Sequence, residues 1–156
     1  MAGRPISPHA RCMTTTPLQT NPPTPADAKV DAVRRLYAAF GRGDLDGVLA
    51  ELADDVDWAA EAAGDAVPWW GPHRGKHSVP AFFAAIGDHV DITEFAPLSF
   101  TCNDTDVVTT VHWSFTVKAT GKTASMFMQH WWRFADGRIV WFRGSEDSAQ
   151  TAAAFA

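Results

Sequence analysis

The chain has 156 residues, 46% of them hydrophobic, and a formal net charge of −5. That length suits one domain with a real core. The acidic balance, with no basic run interleaved with aromatics, argues against nucleic acid as a partner. No apolar stretch approaches the roughly 20 residues that a bilayer-spanning helix needs, so no membrane role is expected. Only two cysteines occur, which leaves no disulfide framework, and the N-terminus "MAGRPISPHARCM" lacks an apolar signal core. A reducing cytoplasm is therefore the expected compartment.

Residues 1–25, "MAGRPISPHARCMTTTPLQTNPPTP", are rich in Pro and Thr with little to bury, and are read as a disordered tail. Either Met1 or Met13 could be the start, so His9 and Cys12 are poor functional candidates. The domain is expected over 26–156. Its first helix places Val30, Val33, Leu36, Tyr37 and Phe40 at helical spacing before Gly41 and Gly43 stop it. Asp44 caps a second helix, "LDGVLAELA". "DDVDWAA" then alternates as a strand with Val56 and Trp58 on one side. A Gly/Pro-punctuated loop over 61–76 precedes a third helix from about Ser78, with Pro80 in its first turn and Phe82, Phe83 and Ile86 inward. The remainder reads as strands: "DITEFAPLSFTC", bent at Pro97, then "DVVTTVHWSFTVKA", "TASMFMQHWWRF" and "RIVWFRGSED". Their short turns favour sequential antiparallel pairing, an α+β layout in which the sheet can curl around the helices.

Alternation along the strands assigns faces. A hairpin closed on Thr120-Gly121 pairs Trp113 with Met128, Phe115 with Met126 and Val111 with His130 on an apolar inner face. His112, Ser114, Thr116, Ser125, Phe127 and Gln129 fall on the other, mixed face, and its apolar members suggest a homodimer surface. At the last turn two closures remain open. A three-residue loop Ala135-Asp136-Gly137 sets His130 opposite Phe142, with Phe142, Gly144 and Glu146 inward. A two-residue loop sets Arg143 opposite His130 and reverses the face.

The segments "AVRRLYAAFGRGDLDGVLAELADDVDW", "GPHRGKHSVPAFF" and "VKATGKTASMFMQHWWRFADGRIVWFRGSEDSA" resemble the SnoaL-like polyketide cyclases, within the superfamily of ketosteroid isomerase and nuclear transport factor two. The resemblance covers about residues 27–152. It implies a cone-shaped α+β barrel: a curved, mostly antiparallel sheet wraps around three N-terminal helices and encloses an apolar pocket. Such folds host isomerases, cyclases, dehydratases, epoxide hydrolases and pure binding modules, so fold alone names no reaction. Where ketosteroid isomerases carry their aspartate base, this chain has Ala59 and Ala60, with Glu61 the nearest carboxylate. Their oxyanion-binding aspartate corresponds to His130, and their first-helix tyrosine falls one residue from Tyr37. The Arg and Asp residues of limonene-epoxide hydrolases correspond to Val111, Trp113 and Gly144.

His130 is the ionisable group of the predicted inner hairpin wall, and an imidazole there can act as acid, base or hydrogen-bond donor. It is equally readable as a core histidine bonded to a neighbour. Glu146 and Glu61 are its candidate carboxylate partners, because burial would raise either toward the range useful for proton transfer. Asp147 reads as a cap for "SAQTAAAF". Tyr37, Trp58, Trp113, Phe115, Met126, Met128, Trp132 and Phe142 are the expected ligand-binding wall, and Trp69 and Trp70 border its mouth. Large aromatics around a cavity suit flat apolar ligands, or else simply fill it. His73 and His77 lie in a Gly/Pro loop and form no metal pair, so no metal is expected. A serine or cysteine nucleophile has no evident base, and no cofactor is called for. The expected function is acid/base isomerisation, cyclisation or dehydration of a small hydrophobic carbonyl compound. A noncatalytic small-molecule binder is the alternative, and an epoxide hydrolase a weaker one.

Overall fold

The computed structural model describes residues 24–156, so the expected tail through residue 23, with His9, Cys12 and Met13, lies outside the described residues. Helix α1 (Pro25–Gly41) opens one residue earlier than expected, because Thr24 and Asp27 form a reciprocal capping box. The Asp27 carboxylate accepts from the Thr24 N–H at 2.8 Å, and Pro25 occupies the first turn, where its missing N–H costs nothing. α1 buries Val33, Leu36 and Tyr37 as the spacing predicts, while Val30 and Phe40 stay partly buried at its margins. Asp44 caps α2 (Leu45–Ala50) by accepting from the Gly47 N–H. α2 is shorter than expected. Leu52 leaves it to pair with Ile139 in a parallel ladder, and the Ile139 N–H bonds the Glu51 carbonyl.

β1 (Leu52–Glu61) sets Val56 and Trp58 inward and fully buried. The expected 61–76 loop contains a short edge strand, β2 (Gly71–Arg74), antiparallel to β1. A 3-10 turn over Lys76–Ser78 leads into α3 (Val79–His89), whose Phe82 and Ile86 are buried. The meander follows as β3 (Val90–Cys102), β4 (Asp106–Val117), β5 (Thr123–Ala135) and β6 (Arg138–Ser145), and α4 (Ser148–Phe155) ends the chain under an Asp147 cap. The sheet runs β2-β1-β6-β5-β4-β3 and is open. Every pairing is antiparallel except β1 with β6, which brings the two ends of the domain together. Pro97 sits at a register shift in β3, an edge strand, where a missing donor is tolerated. The result is the expected α+β cone, with the helices against the concave side of a curved sheet.

Two register expectations are corrected. The β4–β5 loop has four residues rather than two: Val117 bonds Lys122, and Gly121, at φ +70°, returns its N–H to the Val117 carbonyl. Trp113 therefore faces Met126 and Val111 faces Met128, while His130 faces Thr109. The shift is two residues, so every side chain keeps its predicted face. At the β5–β6 turn, Asp136 and Gly137 both have positive φ (49° and 74°), the pattern of a two-residue type I′ hairpin. A bulge at Val140 then moves the ladder by one more residue, and His130 pairs with Gly144. The turn is the two-residue alternative, but the bulge cancels its reversal and restores the face of the three-residue one. Phe142 and Gly144 point inward.

Candidate active site

Between α1, α3 and the concave sheet lies a narrow cavity of about 60 Å³, room for about two waters. Its wall is aromatic. Trp58 stacks on Phe142 with ring centroids 4.0 Å apart, and Trp132 lies 4.4 Å from the same ring. Phe40, Phe83 and Phe95, each half-buried, and the exposed Ile92 also line it, so the cavity reaches the surface among α1, α3 and β3.

The ionisable groups in this lining are Tyr37, His130 and Glu146. Tyr37, on the inward face of α1, has its hydroxyl 2.8 Å from His130 Nδ1 on β5. Burial pushes the imidazole down to about 3, so the ring is neutral throughout the physiological range. Burial likewise pushes the Tyr37 phenol up, offset in part by the Thr109 hydroxyl and the Trp132 indole beside its oxygen. Those two donors approach the phenol oxygen without closing a hydrogen bond. A phenol is a better donor than a neutral imidazole, so we assign the Tyr37 proton to the bond with Nδ1 and His130 the tautomer that carries hydrogen on Nε2. Gly144 gives Phe142 room: a Cβ there would meet Phe142 Cζ at 3.2 Å, while His130 Cδ2 would stay at an ordinary 3.7 Å.

Glu146 lies two residues beyond Gly144, about 6–7 Å along the chain by strand geometry. Burial raises its carboxyl above the usual range, and Trp70, whose indole N–H reaches Oε1 at 2.5 Å, pulls in the opposite direction. Trp69 beside it is fully buried in the wall. The indole N–H groups of Trp58, Trp113 and Trp132 and the Thr109 hydroxyl have no hydrogen-bond partner among the described residues. Each such buried donor costs about 1–3 kcal/mol.

The expected residues are not all brought together. Tyr37, Trp58, Trp113, Met128, His130, Trp132, Phe142 and Glu146 line the cavity, and Phe115, Met126 and Glu61 do not. Phe115 is a backing layer behind Trp113, with ring centroids 4.4 Å apart. Met126 lies under α4, where the Thr151 hydroxyl contacts its sulfur. Glu61 projects from the outer side and pairs with Arg143 at 2.7 Å. Arg143 also forks onto Asp57, which Arg74 contacts from β2. Burial alone would push the Asp57 carboxyl up, but the two guanidiniums hold it below the ordinary value. Phe95 and Ile92 went unrecognised as cavity residues because two register shifts in β3 obscure its alternation. The bond between Trp70 and Glu146 spans 76 positions and has no local signature.

Residues 33–142 match the family model of the SnoaL-like domain. The chain belongs to the SnoaL-like family. An NTF2-like protein of unknown function from Burkholderia pseudomallei is 32% identical, the match covering 83% of this chain and 98% of that one with a TM-score of 0.75. An NTF2-like protein from Burkholderia xenovorans is 26% identical over 84% of this chain and 98% of its own, with a TM-score of 0.76. TerC, co-crystallised with polyporic acid, shares the fold at 21% identity and a TM-score of 0.74, over 82% of this chain and 98% of its own. A search of curated proteins returned no match. Among the described residues the cavity lining contains no Arg or Asp, so the epoxide-hydrolase set has no counterpart at Val111, Trp113 and Gly144.

Proposed function

We propose that this SnoaL-like protein moves a proton on a small, neutral, hydrophobic carbonyl compound, in a cofactor-independent isomerisation, cyclisation or dehydration. The observation that carries the reading is the pairing, on one apolar wall, of a Tyr37–His130 donor with a half-buried carboxylate, Glu146. Glu146 takes the proton alpha to the carbonyl, and the C–H electron pair moves into the enolate. His130 Nε2–H, its tautomer set by Tyr37, donates to the enolate oxygen. Protonated Glu146 then returns the proton at the same or a neighbouring carbon. A donor of this kind in a dry site typically lowers a barrier by about 3–4 kcal/mol. A lining without Lys or Arg among the described residues favours a neutral ligand. The small cavity favours a compact ligand, unless Phe40, Phe83 and Phe95 at the mouth give way. TerC, which shares the fold, was co-crystallised with the small molecule polyporic acid.

A noncatalytic binder is the second reading, favoured by one observation: His130 is too buried to protonate near neutrality and so donates without shuttling protons. A second copy of the chain would cover the outer sheet face, where Phe127 is 65% and Trp131 41% exposed. Sedimentation as a monomer would remove that part of the proposal.

The test starts from a thermal-shift panel of small cyclic ketones and enones. The stabilising compound is then followed by NMR in D2O. Wild type is expected to deuterate the alpha carbon, and Glu146→Gln to retain binding with exchange at least ~100-fold slower. Equal exchange by both proteins would overturn the enzymatic role of Glu146. Binding without exchange in wild type would establish the binder.

A further inference from the structure

We infer that Trp70 is a positioning residue for Glu146: its indole N–H claims Oε1 and leaves Oε2 as the oxygen that takes and returns the proton. The inference rests on the proposed role of Glu146, and it begins with how the loop between β1 and β2 is held. Trp69 is its anchor, packed edge-on against Trp113 at 5.7 Å and Phe155 at 5.4 Å and almost fully buried. The Trp70 N–H closes a turn onto the Val67 carbonyl. With its backbone fixed on both sides, Trp70 projects its indole onto the carboxylate at 2.5 Å.

An indole N–H donates and never accepts. Oε1 must therefore remain an acceptor in both states of Glu146, as a carboxylate oxygen when ionised and as the carbonyl oxygen when protonated. The acid proton then has one place to sit, Oε2. The donor also favours the ionised state of a carboxyl that burial opposes. The other groups near that carboxyl are few. The Trp69 indole and the Thr151 hydroxyl assist ionisation, and Asp147, the next residue, opposes it. Asp147 is itself engaged as the α4 cap, accepting from the Gln150 N–H at 3.0 Å. His130, opposite Gly144, is neutral. Trp70 thus supplies the closest donor that keeps Glu146 available as a base, from a loop outside the sheet.

The experiment needs no substrate. The chain has four glutamates, so carboxyl-labelled glutamate gives four carbon resonances, of which Glu146→Gln assigns one. In Trp70→Phe, the Glu146 midpoint should rise by about one pH unit relative to wild type, the tenfold change that one hydrogen bond to an ion accounts for. Trp70→His restores a ring N–H and should bring the midpoint back toward wild type, a recovery that a packing role alone does not produce. A wild-type midpoint in Trp70→Phe, or a midpoint raised equally in Trp70→His, would overturn the inference. Failure of the parent reading looks different: the midpoint still moves in Trp70→Phe, while Glu146→Gln leaves deuterium exchange intact.

Discussion

Strands β4, β5 and β6 present two faces made of alternate residues, and each face carries a histidine in a different chemical setting. On the inner face, His130 meets the Tyr37 phenol and the rings of Phe95, Trp132 and Phe142, with no charged partner among the described residues. On the outer face, His112 lies 3.2 Å from the Glu94 carboxylate and 3.2 Å from the Ser125 hydroxyl, and Ser125 in turn bonds Ser114. The outer aromatics follow the same division: Arg133 lies over Trp131 and Trp141, and Arg143 over Trp141, whereas no inner tryptophan lies under a guanidinium among the described residues. Strand parity decides whether a histidine is dried into a neutral donor or left in a solvated polar ladder. The same parity gives the outer face the serine–histidine contact that composition alone did not reveal. That contact is one of a chain of surface hydrogen bonds across neighbouring strands.

The largest effect expected from this contrast is on stability. Trp58→Ala removes a fully buried ring stacked on Phe142 and should cost about 3–5 kcal/mol in urea denaturation. Trp131→Ala, at 41% exposure, should cost less than about 1.5 kcal/mol. Equal losses would erase the distinction between the faces, and a large loss for Trp131 that depends on protein concentration would show a second copy covering it.

Protonation sharpens the contrast further. The folded His130 imidazole is pushed down to about 3 from an ordinary 6.5, so its contribution is fully present above pH 6.5 and is lost as pH falls toward 3. That displacement amounts to on the order of 5 kcal/mol at full expression. Glu146 runs the opposite way: its raised carboxyl favours the fold at low pH and loses that contribution as pH rises through its folded value. His130→Gln keeps an acceptor for Tyr37 but has no titrating ring. Its stability should fall less than that of wild type between pH 6.5 and 4, since His73 and Glu146 still titrate in both proteins, and an equal decline in the variant would refute the buried neutral imidazole.

A smaller effect is expected at the ionic cluster of the outer face. Asp57→Asn leaves the Arg143 guanidinium, 15% exposed, with Glu61 alone on a solvated edge, and should cost about 2 kcal/mol. A loss below 0.5 kcal/mol would mean the cluster is as weak as an ordinary surface ion pair.

Much of this division was legible in the residues. Caps at Asp44 and Asp147, the helical spacing through Tyr37 and Phe40, and the alternation through Trp113, Phe115 and Val117 are local signals, and local signals survive a register error of two. The β4–β5 hairpin shows this, since its loop was misjudged and its faces were not. The same alternation that turns Val56 and Trp58 inward sends Glu61 outward, so its exclusion from the cavity was readable although Glu61 was kept as a candidate. Other features depend on contacts distant in sequence. The short β2 strand exists because β1 offers it an edge, the bulge at Val140 accommodates both a type I′ turn and an inward Phe142, and Trp70 finds Glu146 only after the sheet has closed the distance.

The most direct test of the account compares the two histidines in one assay. With a ketone that stabilises the protein, alpha-deuterium exchange at pH 7 would be measured for wild type, His130→Gln and His112→Gln. The account predicts that His112→Gln exchanges at the wild-type rate and that His130→Gln is slower by about 100-fold or more, the loss typical of a missing oxyanion donor. Equal rates for all three proteins would contradict it, leaving His130 a buried structural histidine and the inner face a core.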